Sequence, residues 1–109
     1  MFTVLTRLSF ATLLSLALPG IAWAQADSAQ VFKANCVLCH SANGSGDSTA
    51  GKALKAKDLR SPEVQKQTDA ALAEVIGKGK GKMPAFAAKI KPDDINKLVA
   101  YLRELTKKK

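Results

Sequence analysis

Aromatic side chains, histidine, cysteine and long apolar runs are all scarce in this 109-residue chain, and each scarcity excludes something. With one His and two Cys the chain offers three nitrogen or sulfur metal ligands of those types, one short of the four that a structural zinc site takes. The longest apolar stretch, Leu8 to Leu18, is eleven residues, about half of what a membrane-spanning helix needs. No segment alternates apolar and polar residues long enough to read as a strand. Acidic residues are also short, nine against seventeen Lys and Arg, which gives a formal charge of +8. Past residue 24 the aromatics are only Phe32, Phe86 and Tyr101, and fourteen of the remaining apolar residues are Ala. An apolar interior this thin is marginal for one small domain, where a metal, a disulfide or a similar staple commonly supplies the missing stability. The composition suggests that something other than side chains fills the middle.

Residues 1–24 have the layout of an export signal: Arg7 in an otherwise uncharged start, the apolar run, Pro19-Gly20, and Ala22-Trp23-Ala24 as an A-x-A cleavage site. Cleavage is expected after Ala24, with Ala26 as the alternative. Residues 25–109 then form a single domain with sixteen basic and nine acidic residues, +7. An exported chain meets an oxidising compartment, where a cysteine pair would ordinarily form a disulfide. Cys36 and Cys39 would close a very small loop, and the stabilisation from closing a loop shrinks with its length.

The pattern predicts an all-α fold of four to five short helices joined by long loops. Asp27-Ser28-Ala29-Gln30 is an N-cap with Gln three residues on, so a first helix runs from about Ser28 into the cysteines. Residues 41–51 are small and polar, with three glycines, and read as loop. Ser61-Pro62-Glu63 opens one short turn around Val64, and Thr68 caps a helix bearing Leu72, Val75 and Ile76, with Gly77 placed to end it. Gly and Lys then alternate up to Met83-Pro84, a stretch that glycine spacing and the pre-proline position keep out of helix geometry. The last helix starts at Pro92-Asp93-Asp94 and carries Ile95, Leu98, Val99, Leu102 and Leu105 on one stripe.

The chemistry is concentrated in Cys36-Val37-Leu38-Cys39-His40. Two thiols one helical turn apart point the same way, as thioether attachment to the two vinyl groups of one haem requires, and the adjacent His then lies beneath the iron. C-x-x-C-H reads as c-type haem attachment. The competing readings are a zinc site, which lacks a fourth ligand; a thioredoxin-like redox pair, which wants a strand before it; and a chance motif. The distal ligand follows by elimination. Past the leader Met83 is the single Met, in a loop whose Pro84 suits a strap across the far face of the ring. A lone Met is otherwise a core gap-filler.

These residues resemble the class I c-type cytochromes, and among them the small exported carriers of the cytochrome c6-like type. The resemblance covers essentially the whole chain past the leader. It is carried by Phe32 four residues before Cys36, by the C-V-L-C-H run, by Gly44, Gly46 and Gly51, by Met83-Pro84-Ala85-Phe86, and by Tyr101-Leu102. It implies first and last helices that cross, with Phe32 against Tyr101 and a small residue, Ser28, near the crossing. It also implies a backbone carbonyl accepting a hydrogen bond from the ligand His; many members supply it from a Gly-Pro-x-Leu segment. Here that segment reads Gly51-Lys52-Ala53-Leu54, which leaves Lys52 as the candidate.

The expected protein is therefore a monohaem cytochrome of the periplasm that carries one electron at a time: haem c on Cys36 and Cys39, with His40 and Met83 as axial ligands. With both axial positions filled, no catalysis is expected. The porphyrin would complete the interior among Phe32, Leu38, Leu54, Leu59, Phe86, Leu98 and Leu102. Two alternatives stay open: a haem enzyme or gas sensor with a labile Met83, and a dedicated electron-transfer subunit of a larger dehydrogenase or oxidase. Lys78, Lys80, Lys82, Lys89 and Lys91 fall in a stretch without an acid. Of these, Lys78, Lys80 and Lys82 lie near Met83 and suit rimming the haem edge to steer it toward acidic docking surfaces on redox partners, or else form a merely solvated loop. Nucleic acid is a poor use for this charge with so few aromatics. The expected form is a monomer without stable membrane insertion once the leader is removed.

Overall fold

The computed structural model describes residues 27–108, so the expected leader and its cleavage site lie outside the described residues. The described chain forms helices α1 (Ser28–Asn35), α2 (Val37–His40), α3 (Thr49–Leu54), α4 (Pro62–Gln65), α5 (Asp69–Lys78) and α6 (Pro92–Glu104), and closes with a 3-10 turn, Leu105–Lys107. Among the described residues there is no strand, only one antiparallel bridge between Lys80 and Met83. The all-helical expectation holds. Among the described residues there are six helices rather than four or five, for two local reasons. The first helix breaks at Cys36, whose φ of −117° turns the chain before α2, and the supposed loop over 41–51 yields to α3 from Thr49 onward.

The caps sit where side-chain chemistry put them. Asp27 accepts from the Ala29 amide at 3.0 Å, Ser61 from Val64 at 3.3 Å, and Thr68 from Ala71 at 3.1 Å. Each satisfies a backbone N–H that the first helical turn leaves without a partner, a contribution of about 1 kcal/mol. The end of α5 differs from expectation. Gly77 lies inside the helix, and Gly79, at φ +77° and ψ 169°, ends it. A helix tolerates one glycine within it, but the turn beyond it needs a conformation that side chains forbid.

The apolar stripe of α6 buries Ile95, Leu98, Val99 and Leu102. It packs on α1, where Phe32 is buried and its ring lies 5.1 Å from that of Tyr101, tilted by 47°. That is the pairing implied by the family resemblance. Burying a side chain such as Phe32 or Leu98 stabilises the fold by roughly 1.5–3 kcal/mol each. Arg103 ties α6 to the α4–α5 junction by donating to the carbonyls of Gln65 at 2.8 Å and Gln67 at 2.6 Å and to Asp69 at 2.9 Å. This fork fixes the wall formed by Val64 and Gln67 against the central cavity.

Candidate haem site

Cys36 and Cys39 flank the break between α1 and α2, and helical bonds carry the turn forward: the His40 amide donates to the Cys36 carbonyl at 2.9 Å. Both thiols are free and partly buried. Burial, and then the proximity of Cys39, pushes the Cys36 thiol up to about 11. The segment after His40 folds back onto this turn. The Gly46 amide donates to the His40 carbonyl at 2.8 Å. Ser48 caps α3 by accepting from Gly51 at 3.0 Å while its hydroxyl donates to the Leu38 carbonyl at 2.7 Å. Gly51 packs so closely that a Cβ there would run into the carbonyl oxygens of Cys39 and Gly46. That contact explains a glycine within α3.

The His40 ring is oriented from the backbone. Its Nδ1 lies 2.9 Å from the Lys57 carbonyl oxygen. A carbonyl only accepts, so this contact puts a proton on Nδ1, and in the neutral ring Nε2 then carries the lone pair, the form in which imidazole binds a metal. The carbonyl is that of Lys57, not that of Lys52, the candidate that the family resemblance offered. Lys52 lies within α3 and so does not reach this position, whereas Lys57 follows the left-handed Lys55 that turns the chain after α3.

Met83 arrives from the other half of the chain. After Gly79 the peptide groups of Lys80 and Met83 exchange hydrogen bonds at 3.1 and 2.9 Å, closing a tight turn. The chain then docks back on α5, with Phe86 N–H on the Ile76 carbonyl at 3.0 Å and Ala87 N–H on the Gly77 carbonyl at 3.1 Å.

These two constructions meet at one cavity of ≈460 Å³, lined by Cys36, Cys39, His40 and Met83 together. All seven apolar residues expected around a porphyrin line it as well. Sequence reasoning did not assign Val64 or Gln67 to these walls, and it placed Leu72, Val75 and Ile76 only on a helix face. The size and apolar character are those of a site for a sizeable apolar ligand. Among the described residues, the two large apolar side chains left in water are Leu38, at 77% exposure, and Leu54, at 42%. Both belong to this cavity. The folded chain thus leaves apolar surface open where a macrocycle would cover it, beside two thiols, an imidazole nitrogen and a thioether. The donor set fits haem c. It does not fit zinc: among the described residues no group of three or more His, Cys, Asp or Glu is gathered. The helical setting of the cysteines likewise lacks the strand of a thioredoxin-like pair.

Charge at the cavity is arranged differently from the expectation in one respect. Lys80 and Lys82 line it, but Lys78 turns to Glu74, 3.0 Å away. Lys55 and Lys57 also line it, the latter paired with Glu63 at 3.1 Å.

Comparison with known proteins gives a consistent result. A family model described as cytochrome c oxidase, cbb3-type, subunit III matches residues 24–102. Cytochrome c6 of Picosynechococcus sp. is 34% identical over 99 residues, which span 86% of this chain and 84% of that protein. Cytochrome c6 of Nostoc sp. is 37% identical over 84 residues, 77% of this chain and 73% of the relative. Among solved structures, the KustC0563 c-type cytochrome superposes with a TM-score of 0.67 at 27% identity, covering 72% of this chain and 96% of its own.

Proposed function

The chain belongs to the class I c-type cytochromes of the cytochrome c6-like type, and on that footing we propose that it is an exported carrier of single electrons holding one haem c. The observation that carries this reading is the meeting of Cys36, Cys39, His40 and Met83 at one apolar cavity, although Met83 is far from the other three in sequence. Cys36 and Cys39 form the two thioether bonds. His40 would hold the haem through the Nε2 that its Lys57 hydrogen bond leaves free, and Met83 would hold it from the strap. When bound, haem c supplies a one-electron iron couple. The chain's contribution would be to hold the group between His40 and Met83 and to surround it with apolar walls. Met opposite His raises the potential relative to two nitrogen ligands. With no open position for substrate, transfer of electrons, not catalysis, is the activity.

Residues 1–24 act as the cleaved export signal, which places the domain of residues 25–109 in the periplasm. Among the described residues, no helix is long and apolar enough to cross a membrane. Lys55, Lys80 and Lys82 at the cavity present positive charge to acidic docking surfaces of redox partners. A second reading is favoured by the description of the matching family model, that of an oxidase subunit: a cytochrome dedicated to one larger complex. The high coverage of cytochrome c6 chains supports the free carrier instead. Copurification at native abundance separates the two.

The test of the main reading is the mass of the exported protein together with its reduced spectrum. One haem added to the chain lacking residues 1–24, resistant to extraction, is the expected result. A chain without covalent haem overturns it. Rapid carbon monoxide binding to the reduced protein would move the assignment to the sensor or enzyme class.

A further inference from the structure

The run Gly77-Lys78-Gly79-Lys80-Gly81-Lys82 looks repetitive, yet its three glycines occupy unlike positions. Gly77 sits in α5, where an added Cβ would make ordinary contact with Ile95 and Ala87 at 3.8 and 3.9 Å. Gly81 has a φ of +57° with nothing within 4 Å of an added Cβ, a conformation Asn accepts readily. Gly79 is different on both counts. Its φ and ψ of +77° and 169° fall in a region that is essentially glycine's alone. A Cβ there would also lie 2.7 Å from the Met83 carbonyl oxygen, 2.9 Å from the Ala85 nitrogen and 2.9 Å from the Pro84 carbonyl carbon. All three are backbone atoms of the Met83 strap, so no side-chain rotation relieves the clash.

We infer that Gly79 is the positioning residue for Met83: its bare backbone lets the strap close against the end of α5, and the paired Lys80 and Met83 peptides then hold the thioether at the cavity. The inference rests on Met83 being the distal ligand. The strap is built in the chain itself. Gly79 turns the chain out of α5, the two reciprocal hydrogen bonds close the turn, and the Phe86 and Ala87 amides pin its exit to the carbonyls of Ile76 and Gly77. Every contact in that sequence joins backbone atoms of the chain itself. Lys80 and Lys82 contribute backbone geometry or charge, and Gly81 contributes only the tip of the turn.

The test uses the holoprotein and three variants, Gly79→Ala, Gly81→Asn and Met83→Ala. In the oxidised wild type the methionine-to-iron charge-transfer band reports on Met83 itself. Its absence there defeats the ligand assignment, and with it this inference. With the band present in the wild type, Gly79→Ala is expected to lose most of it and to bind added imidazole roughly ten- to a hundredfold more tightly. Gly81→Asn keeps both properties. A folded Gly79→Ala holoprotein with the full band and unchanged imidazole affinity overturns the inference. Met83→Ala keeps the question answerable should Gly79→Ala fail to fold. Its amides at 80 and 83 are expected to stay protected from hydrogen exchange within about tenfold of the wild type, because the strap does not depend on the iron bond. Protection falling to that of an open loop shows that the metal holds the strap, and contradicts the inference.

Discussion

The two sides of the cavity are built by different means. Around His40 the chain is crowded: Gly46, Ser48, Gly51 and Lys57 each place a backbone or hydroxyl group against the turn that carries both cysteines. Around Met83 there is one glycine in a conformation of its own, one reciprocal pair of backbone hydrogen bonds and two amides returning to α5. The first side holds its ligand by many contacts that must all fit. The second presents its ligand from a short strap with few contacts. On the proposed reading, a heavily supported histidine facing a strap-borne methionine would hold the haem firmly from one side and leave the other side to be set by the strap's own geometry.

Breaking the anchored side gives the largest effect. Replacing both thiols, Cys36→Ser with Cys39→Ser, is expected to abolish covalent haem and leave an apolar cavity of ≈460 Å³ without a filler. The measurable outcome is loss of the haem mass and of cooperative unfolding, since empty apolar volume is strongly destabilising. Next comes Gly51→Ala, whose Cβ meets backbone oxygens that have nowhere to go. A cost of about 3 kcal/mol is expected, at the upper end for overpacking. Thermal unfolding reads this as a fall of some 12–24 °C. Gly81→Asn on the strap should leave the same midpoint nearly unmoved, and an equal effect at the two glycines would erase the contrast between the sides.

Ser48→Ala is a smaller perturbation of the crowded side. It removes the α3 cap and the bond to the Leu38 carbonyl, a cost of about 1–2 kcal/mol by denaturant unfolding. The smallest effect concerns acid. Hydrogen bonds from Ser45, and then from Ser41, hold the Asp47 carboxyl below the usual carboxylate range. A carboxyl lowered in the folded state stabilises it above the unfolded value of about 3.9, and that contribution is lost as pH falls through the folded value. Asp47→Asn should therefore be slightly less stable than the wild type at neutral pH, with the gap closing on acidification. A gap that widens toward low pH would contradict the assignment.

What was legible in the sequence follows the same division. That Cys36, Cys39, His40 and Met83 meet at one cavity was legible because the chemistry expected of them demands particular side chains, and the chain has few of them to offer. The caps at Asp27, Ser61 and Thr68 were legible because each acts on an amide two or three residues away. The start of α3 was hidden. Its residues are small and without apolar period, and Ser48 caps it while reaching back to Leu38, a contact that exists only once the loop has folded over. The carbonyl of Lys57 was hidden for a different reason: every residue has one, so no side chain advertises the partner of His40. The glycine repeat misled in the placement of the α5 terminus, because composition does not distinguish a glycine that is tolerated from one that is required.

Iron-edge X-ray absorption of the purified holoprotein, oxidised and reduced, tests the central claim most directly. One sulfur and five nitrogen neighbours in the wild type, with the sulfur lost in Met83→Ala, is the result expected for an iron held between His40 and Met83. An iron with no sulfur neighbour, or one whose sulfur survives removal of Met83, would contradict it.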